Sequence, residues 1–104
     1  MKVVWTRKAR LSINKLHRYI AKDSLMNADR FVERIFDATD ALANSPRIGK
    51  VQSGPDDERI RYRIVQSQRV IYAIDEEHNA INVLALVHVR QDIASMVKKP
   101  WEKE

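Results

Sequence analysis

The sequence contains no cysteine, only two glycines and three prolines in 104 residues, and aromatic side chains make up 7% of it. Without cysteine there is no disulfide, no thiolate nucleophile and no cysteine-ligated metal. Two glycines, Gly49 and Gly54, cannot build a glycine-rich phosphate loop. No apolar run approaches the ~20 residues that a membrane-spanning helix needs. Met1 to Thr6 is too short, and leads too soon into charge, to be a signal peptide. The expectation is a soluble cytoplasmic protein with no membrane association. His17, His78 and His88 do not stand at ligand spacing to one another or to a carboxylate pair, so no metal is expected, and no cofactor. No Ser-His-Asp order can be argued.

What is present is a balanced composition for one domain: 44% hydrophobic and 32% charged residues. The length fits a single domain, read as residues 1–97, with 98–104 as a C-terminal tail. The net charge is +5 and is uneven: residues 1–50 carry eleven Lys/Arg and five Asp/Glu, residues 51–104 eight and nine. Arg7 to Lys22 holds six basic residues and no acid. Such a field favours nucleic acid or an acidic protein partner; the plainer alternative is a solvated helix face.

Lys2 to Trp5 is β-branched and apolar, an edge or joining strand. Thr6 is a helix N-cap, and Ala9, Ile13, Leu16 and Ile20 repeat with helical spacing over Arg7 to Lys22. Asp23-Ser24 or Asn27 opens a second helix, whose stripe is Ala28, Phe31, Val32, Ile35, Phe36, Thr39 and Leu42. Pro46 stops it near Asn44-Ser45. The short link makes the two helices an antiparallel hairpin. Residues 45 to 58, with both glycines, read as an irregular connector. Three strands follow. Arg59–Val65 alternates strictly, Val70–Ile74 alternates, and Ala80–Val87 is almost wholly apolar, as in a central strand covered on both faces. Short polar links make them an antiparallel meander. Asp92 to Val97 is read as a short helix. The expected class is α+β, with the helices packed on one face of the sheet.

A strand's side-chain period of two puts Ile60, Tyr62 and Ile64 on one face and Arg59, Arg61 and Arg63 on the other. With Arg69, these arginines are read as a patch on the uncovered sheet face. Arg offers a planar fork suited to phosphate or carboxylate. The alternative is a solvated face with Arg69 pairing to Asp75 or Glu77. Arg7, Arg10 and Lys15 on the first helix are further candidates for binding a partner. His88, where the last strand leaves the sheet, could act as acid or base, or could fix the strand end through a hydrogen bond to backbone. Trp5 and Tyr72 are read as core, Tyr19 as exposed, and Trp101 as docking on the core or on a partner.

V-V-W-T at 3–6, Y-I-A at 19–21, A-D-R-F at 28–31, L-A-N-S-P-R-I-G at 42–49, I-R at 60–61, R-V-I-Y at 69–72 and H-V-R-Q-D at 88–92 together resemble the RelE/ParE superfamily of type II toxins over about residues 2–97. The order and spacing of these segments carry the resemblance, not any one of them. Gln66 and Gln68 stand where members often have Gly and Tyr, and Arg63 where an apolar residue is common.

The resemblance implies one of two activities. ParE-like members bind DNA gyrase and are not catalysts. RelE-like members cut mRNA on the translating ribosome; here His88 would supply one proton transfer, and Arg61, Arg69 and Arg90 would stabilise phosphate charge. No second proton-transfer residue is evident, and no tyrosine follows Arg90. The H-x-R-x-D exit followed by Ile93 and Met96, and the long basic first helix, are more similar to ParE. A third possibility is an inactive toxin fold that only binds antitoxin. Either branch implies a cognate antitoxin, largely disordered when free, with operator DNA bound only through it.

Overall fold

A computed structural model describes residues 1–102 of the chain. Strand β1 (Lys2–Trp5) leads into helix α1 (Arg7–Ala21) and helix α2 (Leu25–Asp40), which a 3-10 turn, Ala41–Ala43, extends. Strands β2 (Lys50–Val51), β3 (Ile60–Val65), β4 (Gln68–Asp75) and β5 (Ala80–His88) follow, with a second 3-10 turn at Ile93–Ser95. The sheet order is β1-β5-β4-β3-β2. β1 runs parallel to β5, and the other pairings are antiparallel.

The helix starts follow their caps. Thr6 Oγ1 accepts the Ala9 N–H and donates to the Val83 carbonyl, so one side chain caps α1 and ties it to β5. Ser24 accepts the Asn27 N–H and starts α2. β2 is an element that the glycine and proline of its segment hide. It pairs through Lys50↔Tyr62 and Val51↔Arg61, inside the stretch read as irregular connector.

The helices cover one face of the sheet. Ala9 of α1 packs on Val70 and Val83, and Leu42 packs with Tyr72, Ile74 and Ile81. The opposite face is covered as well, by the end of the chain. Ile93, Met96 and Trp101 pack on Ile71, Ala85 and Val87 together with Ile60 and Tyr62. Lys99 Nζ donates to the carbonyls of Ile93, Ala94 and Met96, and Lys8 Nζ donates to the Pro100 carbonyl. Residues 98–102, read from sequence as a tail, are thus a strap across the sheet; the last two residues of that tail lie outside the described residues. The run 92–97 forms one 3-10 turn, Ile93–Ser95, rather than a longer helix, with Asp92 capping it.

Interior strand β5 is covered on both faces, as its composition implies. A bulge opposite Ile71/Tyr72 interrupts its register, and the uniform apolar sequence gives no sign of it.

Candidate functional site

Cross-strand neighbours in an antiparallel pair point to the same side of the sheet. Arg61 stands opposite Tyr72 and Arg63 opposite Val70, and both of those partners lie under the helices. Arg61 and Arg63 therefore project from the helix side of the sheet, beyond the helices' edge. Tyr62 stands opposite Ile71, and Ile64 opposite Arg69, on the strap side. The expected single patch of four arginines does not form. Alternation within β3 separates the two sets correctly, but the register with β4 decides which set meets the helices. Ile64, placed among buried residues by its alternation, is 57% exposed.

Each arginine then meets different surroundings. Arg59 forms a two-pronged pair with Asp57, Nε to Oδ1 and Nη2 to Oδ2, both at 3.0 Å. Side-chain and backbone hydrogen bonds from Arg59 hold the Asp57 carboxyl below its ordinary pKa. Arg61 reaches the carbonyls of Glu58 at 3.1 Å and Gly49 at 3.0 Å, pinning β3 to the preceding connector. The Arg63 side chain makes no hydrogen bond or ion pair among the described residues, and Arg63 lines a cavity of about 240 Å³ with Ile48, Lys50 and Ile64. Arg69 lies 4.0 Å above the Tyr62 ring and donates to Gln52 Oε1 at 3.3 Å, rather than pairing with Asp75 or Glu77.

Beneath Arg61 is a buried latch. The Tyr72 hydroxyl, on a side chain with no exposure, accepts the Gly49 N–H at 3.0 Å and donates to the Pro46 carbonyl at 2.7 Å. Burial pushes the phenol pKa up, against opposing pulls from the Gly49 N–H and the Arg61 and Arg63 guanidinium groups. Gly49 must be glycine: a Cβ there would meet the Tyr72 hydroxyl and sit 2.7 Å from the Tyr62 carbonyl.

His88 closes the last strand. Its Nδ1 accepts the Arg90 N–H at 3.1 Å, its own N–H donates to Gln91 Oε1, and the Gln91 N–H returns to the His88 carbonyl. This is the backbone-fixing arrangement that the sequence left open beside catalysis. His88 stands opposite Gln68, at the far end of β4 from Arg61's partner Tyr72. Arg69 faces the other side of the sheet and Arg90 is exposed. The four residues expected of a ribonuclease are not brought together. His17 and His78 pair with Asp29 and Asp75, each at 2.8 Å.

The outward face of α1 carries Arg7, Arg10, Lys15, Arg18 and Lys22, all exposed and none in an ion pair among the described residues. Tyr19, on the same helix, is 70% exposed, as expected. Sequence reasoning missed the groove under the strap, a cavity of about 790 Å³ between Tyr62, Arg69, Gln52 and Trp101. The sequence signal for it was the isolated Trp101 together with Gly54, whose φ of +113° and missing Cβ admit the indole ring. Among the described residues no group of His, Asp or Glu is placed to hold a metal ion, and no helix is long and apolar enough to cross a membrane.

The family model for the ParE toxin of the type II toxin–antitoxin system parDE matches residues 3–93. The chain belongs to the ParE toxin family. Its fold is similar to that of a chromosomal ParDE TA system from P. aeruginosa, at 16% identity and a TM-score of 0.68, covering 85% of this chain and 95% of that one. It is also similar to a YoeB/ParE toxin from Agrobacterium tumefaciens, at 20% identity and a TM-score of 0.57, covering 85% of this chain and 98% of that one. No curated protein matches it. The α+β arrangement expected from the strand–hairpin–meander order is the ParE fold. Membership in the family makes the chain the toxin half of a toxin–antitoxin pair and implies a cognate antitoxin.

Proposed function

We propose that this ParE-family toxin acts by binding DNA gyrase and stalling it on cleaved DNA, and that its antitoxin neutralises it by masking the binding surface. The family match over residues 3–93 carries this reading. Two features of the site support it. The basic outer face of α1 offers exposed cations to an acidic or DNA-bound surface, and such a field accelerates association. His88 is engaged in holding the strand exit, with the other expected catalytic residues spread over two faces of the sheet.

The test is supercoiling by purified gyrase with ATP, with a detergent step that traps cleaved DNA. Linear DNA should accumulate with rising toxin and vanish when antitoxin is added. Normal supercoiling at toxin excess would overturn the reading. One observation favours a second reading, ribosome-dependent mRNA cleavage: the Arg69–Tyr62 stack lines an open groove of a size suited to a nucleotide. Codon-phased mRNA cuts on translating ribosomes, lost in Arg69→Ala, would establish that alternative.

A further inference from the structure

The β3–β4 hairpin turns on Gln66 and Ser67, with φ of 52° and 63°. A two-residue turn of this hand needs positive φ at both positions, and Asn-Gly adopts it at least cost. Gln and Ser bear steric strain there, and residues held at such angles cluster at binding sites. The Gln66 side chain lines a cavity of about 280 Å³, together with Ile20 of α1 and Asn27, Arg30, Phe31 and Arg34 of α2. Arg30 and Arg34 are exposed, and neither makes an ion pair among the described residues, whereas Arg47 and Arg59 are both paired. The strained turn and the unpaired arginines thus converge on one cavity.

We propose that Arg30, Arg34 and Gln66 form a docking site for two carboxylate side chains of the antitoxin. The inference rests on the family's implication that an antitoxin binds, and it names where and by what chemistry. Residues four apart on a helix present side chains about 6 Å from each other, which suits two acids on successive turns of a partner helix. Each guanidinium can grip one carboxylate through two parallel hydrogen bonds, and the Gln66 amide can donate to either. Phe31 and Ile20 supply an apolar wall beside these contacts, which strengthens them. Asp29, Glu33 and Asp37 are exposed on the same helix. A continuous phosphate backbone laid across α2 would meet all three, whereas two separate carboxylates need not.

The experiment is calorimetric titration of the full-length toxin with its purified cognate antitoxin over a salt series. The Arg30→Ala, Arg34→Ala double variant should bind at least about tenfold more weakly, with a shallower dependence on salt. Gln66→Gly should melt at a higher temperature, because glycine relieves the turn, yet bind about fivefold more weakly. A purely structural role for Gln66 would move the melting temperature alone. Unchanged affinity in either variant would overturn the proposal. So would unchanged antitoxin affinity accompanied by a loss of duplex DNA retention, which would make this a phosphate site. A wild-type chain that failed to bind antitoxin at all would instead remove the antitoxin reading on which the proposal rests.

Discussion

Replacing Tyr72 with phenylalanine removes one oxygen atom and keeps the ring that fills the space between Leu42, Ile74 and Ile81. The hydroxyl makes two hydrogen bonds, and its loss strands the buried Gly49 N–H and the Pro46 carbonyl. A buried donor left without a partner costs about 1–3 kcal/mol, so the two losses together should cost about 2 kcal/mol. Unfolding entropy of about 2.1 cal/mol/K per residue gives about 0.22 kcal/mol/K for this 104-residue chain, so the melting temperature should fall by about 9 °C. Thermal unfolding followed by circular dichroism measures this.

A second signature separates the hydroxyl from general packing. Burial raises the Tyr72 pKa in the folded state, so the folded chain holds the phenolic proton more tightly than the unfolded chain. Stability is then fully present below the usual tyrosine value of about 10 and declines as pH rises through the folded value. The wild type should lose stability on that alkaline limb, and Tyr72→Phe should lose less of it. A melting temperature within about 2 °C of wild type at neutral pH would refute the reasoning, because the latch would then contribute too little for two buried hydrogen bonds.

Trp101→Ala should cost about 2 kcal/mol, since the half-buried indole anchors the strap against Gly54 and Ile71; urea unfolding followed by far-UV signal tests it. His88→Ala removes the acceptor for the Arg90 N–H and should cost about 1 kcal/mol, while gyrase poisoning persists. Complete loss of toxicity in a folded His88→Ala chain would point back to proton transfer. Reversing Arg7, Arg10 and Lys15 to Glu should weaken target binding and flatten its salt dependence, with helicity retained. Unchanged binding would remove α1 from the interface.

Local signals were legible wherever the chemistry was local. Thr6 and Ser24 mark their helices because a hydroxyl before an apolar periodic run has one favourable use. Alternation in β3 sorted its side chains into two sets. What it could not convey was which set the helices would meet, because that depends on pairing with β4, and shifting a register by one residue reverses every face. Arg61 and Arg63 therefore sit opposite Tyr72 and Val70, although arginine in an alternating strand suggests open solvent. β2 escaped notice because two residues carry no periodicity. The strap escaped because its anchors, Lys8 to Pro100 and Trp101 to Gly54, join distant parts of the chain. At the candidate site the arginines stood out in the sequence, whereas their distribution over two faces did not. Arg69 stood out in the sequence, but its neighbours in the groove, Tyr62, Gln52 and Trp101, come from three separate segments.

The parallel pairing of β1 with β5 sets the order in which this molecule can be completed. Lys2 finds its partner only at Ala80, so the first strand made has nowhere to bond until the last has been synthesised. Closing so long a loop is entropically slow, and contacts of such wide separation delay folding. A chain interrupted before residue 80 would hold α1 and α2 with β5 missing, and with Ala9, Leu42 and Val70 deprived of their contacts to Ile81 and Val83. Such fragments should be open to proteolysis, because their apolar surface is left unpacked. The sheet can therefore close only once residues 80–83 are available to pair with the first strand.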